Sequence, residues 1–132
     1  MQLFTNFAEK TKIGQQHGTI KGVLWHQGES DAIDPNDIEA YWHRLAQLLV
    51  KFRRVIGNDK LPVLIGDLGS FSKNDKNWRK INKQVRRYVR TDRFASRVKT
   101  ADLKEKGDKI HFDSQGQRML GERFAKEYIR KY

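Results

Sequence analysis

The stretch Ile20-Lys-Gly-Val-Leu-Trp-His-Gln-Gly-Glu-Ser-Asp31 is where the chain changes character. Gly22 to Trp25 is a short apolar run of the length and side-chain type that suit a buried strand. His26, Gln27, Glu29, Ser30 and Asp31 follow at once, and Gly28 among them lets the backbone bend. Open α/β sheets present polar groups to a ligand in this way, at the carboxyl ends of buried strands.

The flanking segments agree with that reading. Phe4 to Gln16 has the apolar spacing of an amphipathic helix, and His17-Gly18 ends it. The first strand is expected over Ile20 to Trp25. Asp34-Pro35-Asn36-Asp37 offers a turn and a helix cap before a long helix over Ile38 to Ile56. Leu61 to Leu68 is apolar on successive residues, as a parallel strand covered on both faces must be. A basic helix over Trp78 to Val89, a third strand over Ser96 to Leu103 and a final helix over Ser114 to Tyr132, capped by Ser114, complete the pattern. Strand and helix alternate throughout, so the expected class is α/β with a parallel sheet.

Composition sets the outer limits. A chain of 132 residues makes one domain at most. It carries 27 Lys and Arg against 16 Asp and Glu, a net charge of +11, which predisposes it to polyanions. Much of this charge lies between Arg79 and Arg97. The helix there also has a clean apolar side, and no aromatic platform for bases accompanies it, so a solvated face is the expected reading and nucleic acid a weak one. With no cysteine there is neither a disulfide nor thiolate chemistry. His17, His26, His43 and His111 form no i, i+4 ligand pair, and no cysteine accompanies them, so no metal site is expected. No apolar run approaches a membrane span, and the first ten residues lack a signal-peptide apolar core; the compartment stays open.

Three groups of residues carry chemistry, and each has an ordinary reading beside the functional one. The amide of Gln27, just past the strand, can donate to a developing oxyanion or simply close the turn. Gly28-Glu29-Ser30-Asp31-Ala32 has the outline of a nucleophile elbow, but Ala32 stands where that motif has glycine and loop residues follow the serine. Turn bonds are the expected role of Ser30 and Asp31, while Glu29 is placed to orient a histidine or pair with an arginine. In Gly107-Asp-Lys-Ile-His-Phe-Asp113, Asp108 three residues before His111 can fold back onto the imidazole Nδ1 proton and leave Nε2 as a general base. A surface histidine with a chance carboxylate neighbour fits the same spacing.

Taken together, these segments resemble the carbohydrate esterase family six and sialate O-acetylesterase group of the SGNH hydrolases. Gly22-Val-Leu-Trp-His-Gln-Gly-Glu-Ser-Asp31 resembles that group's third sequence block. Leu61-Pro-Val-Leu-Ile-Gly-Asp-Leu68 is similar to its next strand. Gly107-Asp-Lys-Ile-His-Phe-Asp-Ser114, with Gly116-Gln-Arg-Met-Leu-Gly121, is similar to its last block. The resemblance implies a flavodoxin-like three-layer α/β/α fold and removal of acetyl groups from acetylated carbohydrate, without metal or cofactor. It implies His111 as the general base and Asp108 as its orienting acid, with Glu29 as the alternative or additional support. It places Gln27 as an oxyanion donor, with Gly28 and His26 beside it on the oxyanion and substrate side.

One part of that pattern is missing. The family's nucleophilic serine stands in a Gly-Gln-Ser-Asn-type block after its first strand, and no such block occurs here. The expectation is therefore the carboxyl-terminal portion of an esterase domain, with its amino-terminal strands lacking. The strand Ile20 to Trp25 would then be an exposed edge, inviting a second copy or a separate amino-terminal segment to pair with it. A non-catalytic glycan- or protein-binding remnant is the rival reading.

Overall fold

The computed structural model describes residues 2–132. Seven elements follow in the order α1 (Gln2–Gln15), β1 (Val23–Trp25), α2 (Pro35–Ile56), β2 (Val63–Gly66), α3 (Asp75–Thr91), β3 (Ala95–Val98) and α4 (Ser114–Lys131). The three strands form one parallel sheet in the order β1-β2-β3, with Val23 opposite Val63 and Val63 opposite Ala95. The α/β class expected from the alternation is the one observed.

The strands are shorter than the apolar runs that announce them. Leu61 is fully buried, yet it lies ahead of β2, where its carbonyl accepts from the Arg53 guanidinium. Ile20 to Gly22 likewise precede β1. An apolar run reports burial, whereas a strand also needs a paired neighbour. The helices α1, α2 and α3 start earlier than expected, while α4 starts at Ser114 as expected. Asp34 caps α2, its side chain accepting from Asn36 N–H at 2.7 Å, so that Pro35 opens the helix three residues before Ile38. α4 is capped by Asp113, which accepts from Gly116 N–H at 2.6 Å, and not by Ser114, its first helical residue.

Helices cover both faces of the sheet, giving three layers. On one face Tyr41, Leu45, Leu49 and Phe52 of α2 and Trp78, Ile81, Val85 and Tyr88 of α3 pack on Val63, Ile65 and Ala95. The helix α1 joins this side through Phe7, whose ring stacks 4.1 Å from that of Phe52. On the other face Leu120 and Phe124 of α4, with Leu103 and Phe112, close over Leu64 and Val98. The four residues of β2 are buried, so this is the central strand. β1 ends the sheet, and its Leu24 is 61% exposed.

A buried ion pair ties the amino-terminal ends of the strands to α2. Arg53 donates through Nε to Leu61 O at 3.0 Å and through Nη1 to Asp92 Oδ2 at 2.6 Å. Burial pushes the Asp92 carboxyl up, but hydrogen bonds from Arg53, Tyr88 and the Phe94 backbone outweigh it and hold the group below its ordinary range. A carboxyl with a depressed folded pKa stabilises the protein above its unfolded value of about 3.9, and the contribution fades as pH falls through the folded value. Arg53→Ala is expected to cost about 3 kcal/mol at pH 7 in urea unfolding. The gap from wild type should narrow at pH 3, and a loss of equal size at both pH values would show that the pair is not its source.

Candidate active site

The carboxyl end of β1 divides its side chains between the two faces of the sheet. Successive residues of an extended chain point in opposite directions. His26 therefore turns toward the α4 side, where its ring stacks on Phe112 with centroids 5.2 Å apart and its Nδ1 lies 3.4 Å from Gly66 O. Gly66 leaves room for it, since a Cβ there would stand 3.2 Å from that same Nδ1. Gln27 turns to the α2 side, where its Nε2 donates to Asp31 Oδ2 at 2.7 Å. Its carbonyl accepts from Tyr41 Oη at 2.7 Å. Burial pushes the Tyr41 hydroxyl up to about 12, so it stays a donor.

The chain then turns at Gly28, which is buried with φ +145°. A Cβ at that position would come within 2.8 Å of Ile81 Cγ2. The turn brings Glu29 back so that its Oε2 accepts from Gly28 N–H at 3.0 Å and its Oε1 lies 3.8 Å from His26 Nε2. Of the two partners foreseen for Glu29, a histidine or an arginine, it has a histidine, and that histidine is His26.

The second half of the site comes from the segment between β3 and α4. Glu105 and Phe112 form an antiparallel bridge, and Lys106 N–H donates to His111 O at 3.1 Å. Inside this excursion Glu105 Oε2 accepts from the N–H groups of Gly107 and Lys109 at 2.5 and 2.9 Å. Asp108 Oδ1 accepts from those of Ile110 and His111, both at 2.9 Å. Lys109 adopts φ +59°, a left-handed conformation held by these bonds. The other oxygen, Asp108 Oδ2, lies 2.6 Å from His111 Nδ1.

The His111 bond first, then the backbone N–H groups, hold the Asp108 carboxyl well below the usual carboxylate range. An ionised carboxylate only accepts, so Nδ1 carries the proton and the Nε2 lone pair of the neutral ring is free. The ring is 59% exposed.

These halves meet in one cavity of about 490 Å³, lined by His26, Glu29, Ser30, Ile33, Ile110, His111, Phe112 and Gln117. His26, Glu29 and His111 are thus brought together, with Asp108 behind His111. Gln27 lines a different recess, with Tyr41, Asp31 and Arg44 on the α2 side. Ser30 supplies the hydroxyl among the lining residues; its carbonyl accepts from Ile33 N–H, a turn bond of the kind its position suggested. Among the described residues no cluster of three or more His, Asp or Glu side chains is arranged to hold a metal. Two contributors escape a reading of sequence. Phe112 is the floor on which His26 rests, and Glu105 holds the loop that presents His111. Nothing in their spacing marks either residue.

With this geometry in view, comparison with known proteins is specific. Residues 1–130 match the family model described as carbohydrate esterase, sialic acid-specific acetylesterase. The chain belongs to this carbohydrate esterase family. A probable carbohydrate esterase of Arabidopsis thaliana is 30% identical over 130 residues, covering 94% of this chain and 45% of its own length. An Arabidopsis thaliana X-ray structure superposes with a TM-score of 0.87 at 25% identity, over 98% of this chain and 53% of that one. A carbohydrate acetylesterase from Xanthomonas citri shares the fold, with a TM-score of 0.68 at 24% identity over 80% of this chain and 24% of its own. The chain spans about half the length of the Arabidopsis relatives it matches.

The Gly28 turn can be tested on its own. Gly28→Ala combines a strained φ with a clash against Ile81, and is expected to destabilise the fold by at least about 2 kcal/mol in urea unfolding. Unchanged stability would mean that the turn tolerates a side chain, and that the placement of Glu29 does not depend on glycine.

Proposed function

We propose that this chain supplies the acid–base half of a carbohydrate O-acetylesterase of the SGNH type, acting on acetylated sugars by a Ser-His-Asp mechanism. The observation that carries this reading is the Asp108–His111 bond, with His111 Nε2 left free in a cavity that already holds His26 and Glu29. Family membership adds the acetyl ester as the substrate class. In this mechanism the nucleophilic serine lies on a segment with a Gly-Gln-Ser-Asn-type block, which this sequence does not contain. That segment pairs with the open edge of β1. Its serine Oγ adds to the acetyl carbonyl carbon while His111 Nε2 takes the hydroxyl proton. The resulting imidazolium is stabilised by Asp108 and then protonates the departing sugar oxygen. Water attacks the acetyl-serine in the second half, again through His111.

Gln27, the oxyanion donor that the resemblance implies, lines the separate recess and donates to Asp31, so this reading gives it no contact with the carbonyl that His111 serves. Gly28 and His26 complete the substrate side. Glu29 acts on His26 and holds it against Phe112, while Asp108 serves His111.

Hydrolysis of p-nitrophenyl acetate tests this reading. The chain alone should match an equal concentration of imidazole. Adding or fusing a segment that carries a Gly-Gln-Ser-Asn-type block should raise the rate by several orders of magnitude, and His111→Ala should then lower it by about 10³-fold or more. Activity of the chain alone that disappears in both His111→Ala and Ser30→Ala would place the nucleophile at Ser30 and overturn the proposal. A folded chain that stays inactive with the segment, but binds sugar in the cavity, would support a glycan-binding remnant instead.

A further inference from the structure

A groove of about 650 Å³, larger than the cavity that holds His111, lies between the first turn of α2 and the outer face of α3, where Pro35, Ile38 and Glu39 form one wall and basic residues of α3 the other. Lys80, Lys83, Arg87 and Arg90 recur at spacings of three and four residues, which places them on one face of α3 over about 15 Å. Arg86 joins them at the edge, and Glu39 is the acid among the lining residues. All five cations are exposed. The ion pair formed within this helix, Arg79 with Asp75, is at its first turn and outside the groove. Arg87 is held over the ring of Trp42 at 4.7 Å, so one guanidinium is fixed in place before any ligand arrives.

The groove is coupled to the His111 cavity through a shared loop. Ile33 forms the lip of that cavity, and Pro35, two residues on, forms the wall of the groove. Asn77 Nδ2 donates to Ala32 O at 2.9 Å and ties the start of α3 to the same loop. The loop from Ile33 to Pro35 therefore borders both the cavity and the groove.

We infer that this groove binds the carboxylates of an acidic polysaccharide, so that the substrate class is a polymeric glycan bearing uronate-type groups. The inference rests on the esterase reading for the identity of the polymer. Charge alone would equally suit nucleic acid, but the residues lining the groove include no aromatic ring on which bases could stack, and the Trp42 ring beside it already carries Arg87. Arginine forks and lysine ammonium groups on a rigid helix suit carboxylates repeated along a chain.

Equilibrium binding to labelled polygalacturonate, with dextran and a duplex DNA oligonucleotide as comparisons, tests this without any ester being cleaved. Polygalacturonate should bind with an affinity that falls as salt rises, and dextran should not bind. A variant carrying Lys80→Gln, Lys83→Gln and Arg90→Gln should bind polygalacturonate about tenfold more weakly. A control of equal charge change away from the groove, Lys10→Gln with Lys12→Gln and Lys21→Gln, should lose less than about twofold. Equal losses in both variants would show that diffuse charge and not the groove is responsible. Dextran binding as tightly as polygalacturonate, or DNA binding more tightly and through the same three residues, would overturn the assignment to acidic glycan. Because no acetyl ester is present, failure here leaves the esterase reading intact, and failure of acetyl hydrolysis does not alter the binding result.

Discussion

The half of this site that comes from β1 depends on a turn that has no room for a side chain. Gly28 sits with positive φ among Ile81, Leu68 and Tyr41, so the end of β1 is pressed directly onto the α2–α3 layer of the core. From that fixed point the chain sends His26 to one face and Gln27 to the other, then returns Glu29 to the side of His26. The core and the site are therefore not separable here. The same apolar contacts that exclude water around Ile81 also determine where two carboxylate oxygens and an imidazole come to lie.

The cavity contains two histidine–carboxylate pairs of different character. His26 is stacked on Phe112 and near Glu29, in contact with the packed layer beneath α4. His111 stands on an excursion outside the regular elements, largely in water, held by Asp108 and indirectly by Glu105. A half-buried, stacked ring is suited to shaping a cavity. An exposed ring with one nitrogen bonded and the other free is suited to moving a proton. Catalytic groups commonly divide in this way, a mobile-side base carried on a loop and a rigid scaffold behind it. The opening around His111 also leaves this imidazole in contact with water, and covering it would strengthen each electrostatic contact in the cavity.

Charge is distributed unevenly over this framework. The acids that matter structurally are paired, as with Asp92 and Arg53, or Asp67 and Arg97, whose guanidinium grips both carboxylate oxygens. Burial nevertheless pushes the Asp67 carboxyl above its usual value, with Arg97 opposing the shift. The excess cations are left on the outer face of α3, beside the loop that leads to the cavity. At a net charge of +11 the molecule attracts polyanions in general, and a groove is what gives such attraction a position.

Local signals in the sequence were sufficient for the alternation of strands and helices, because burial of β2 on both faces and the helical periods of α2, α3 and α4 are written in consecutive residues. The Asp108–His111 contact was legible for the same reason, since three residues of one turn determine it. Caps were read in part: Asp34 lies in the stretch expected to cap α2, whereas Asp113 and not Ser114 caps α4, because a cap is decided by which side chain reaches an open N–H. What only the tertiary structure decided is which side chains share a space. His26 and Gln27 are adjacent in sequence, yet strand geometry sends them to separate recesses. His26 and His111 are 85 residues apart, yet Phe112 and the parallel order of the sheet bring them into one cavity. Sequence determined the chemistry available to each element; the direction of each Cβ and the order of the strands decided which groups could act together.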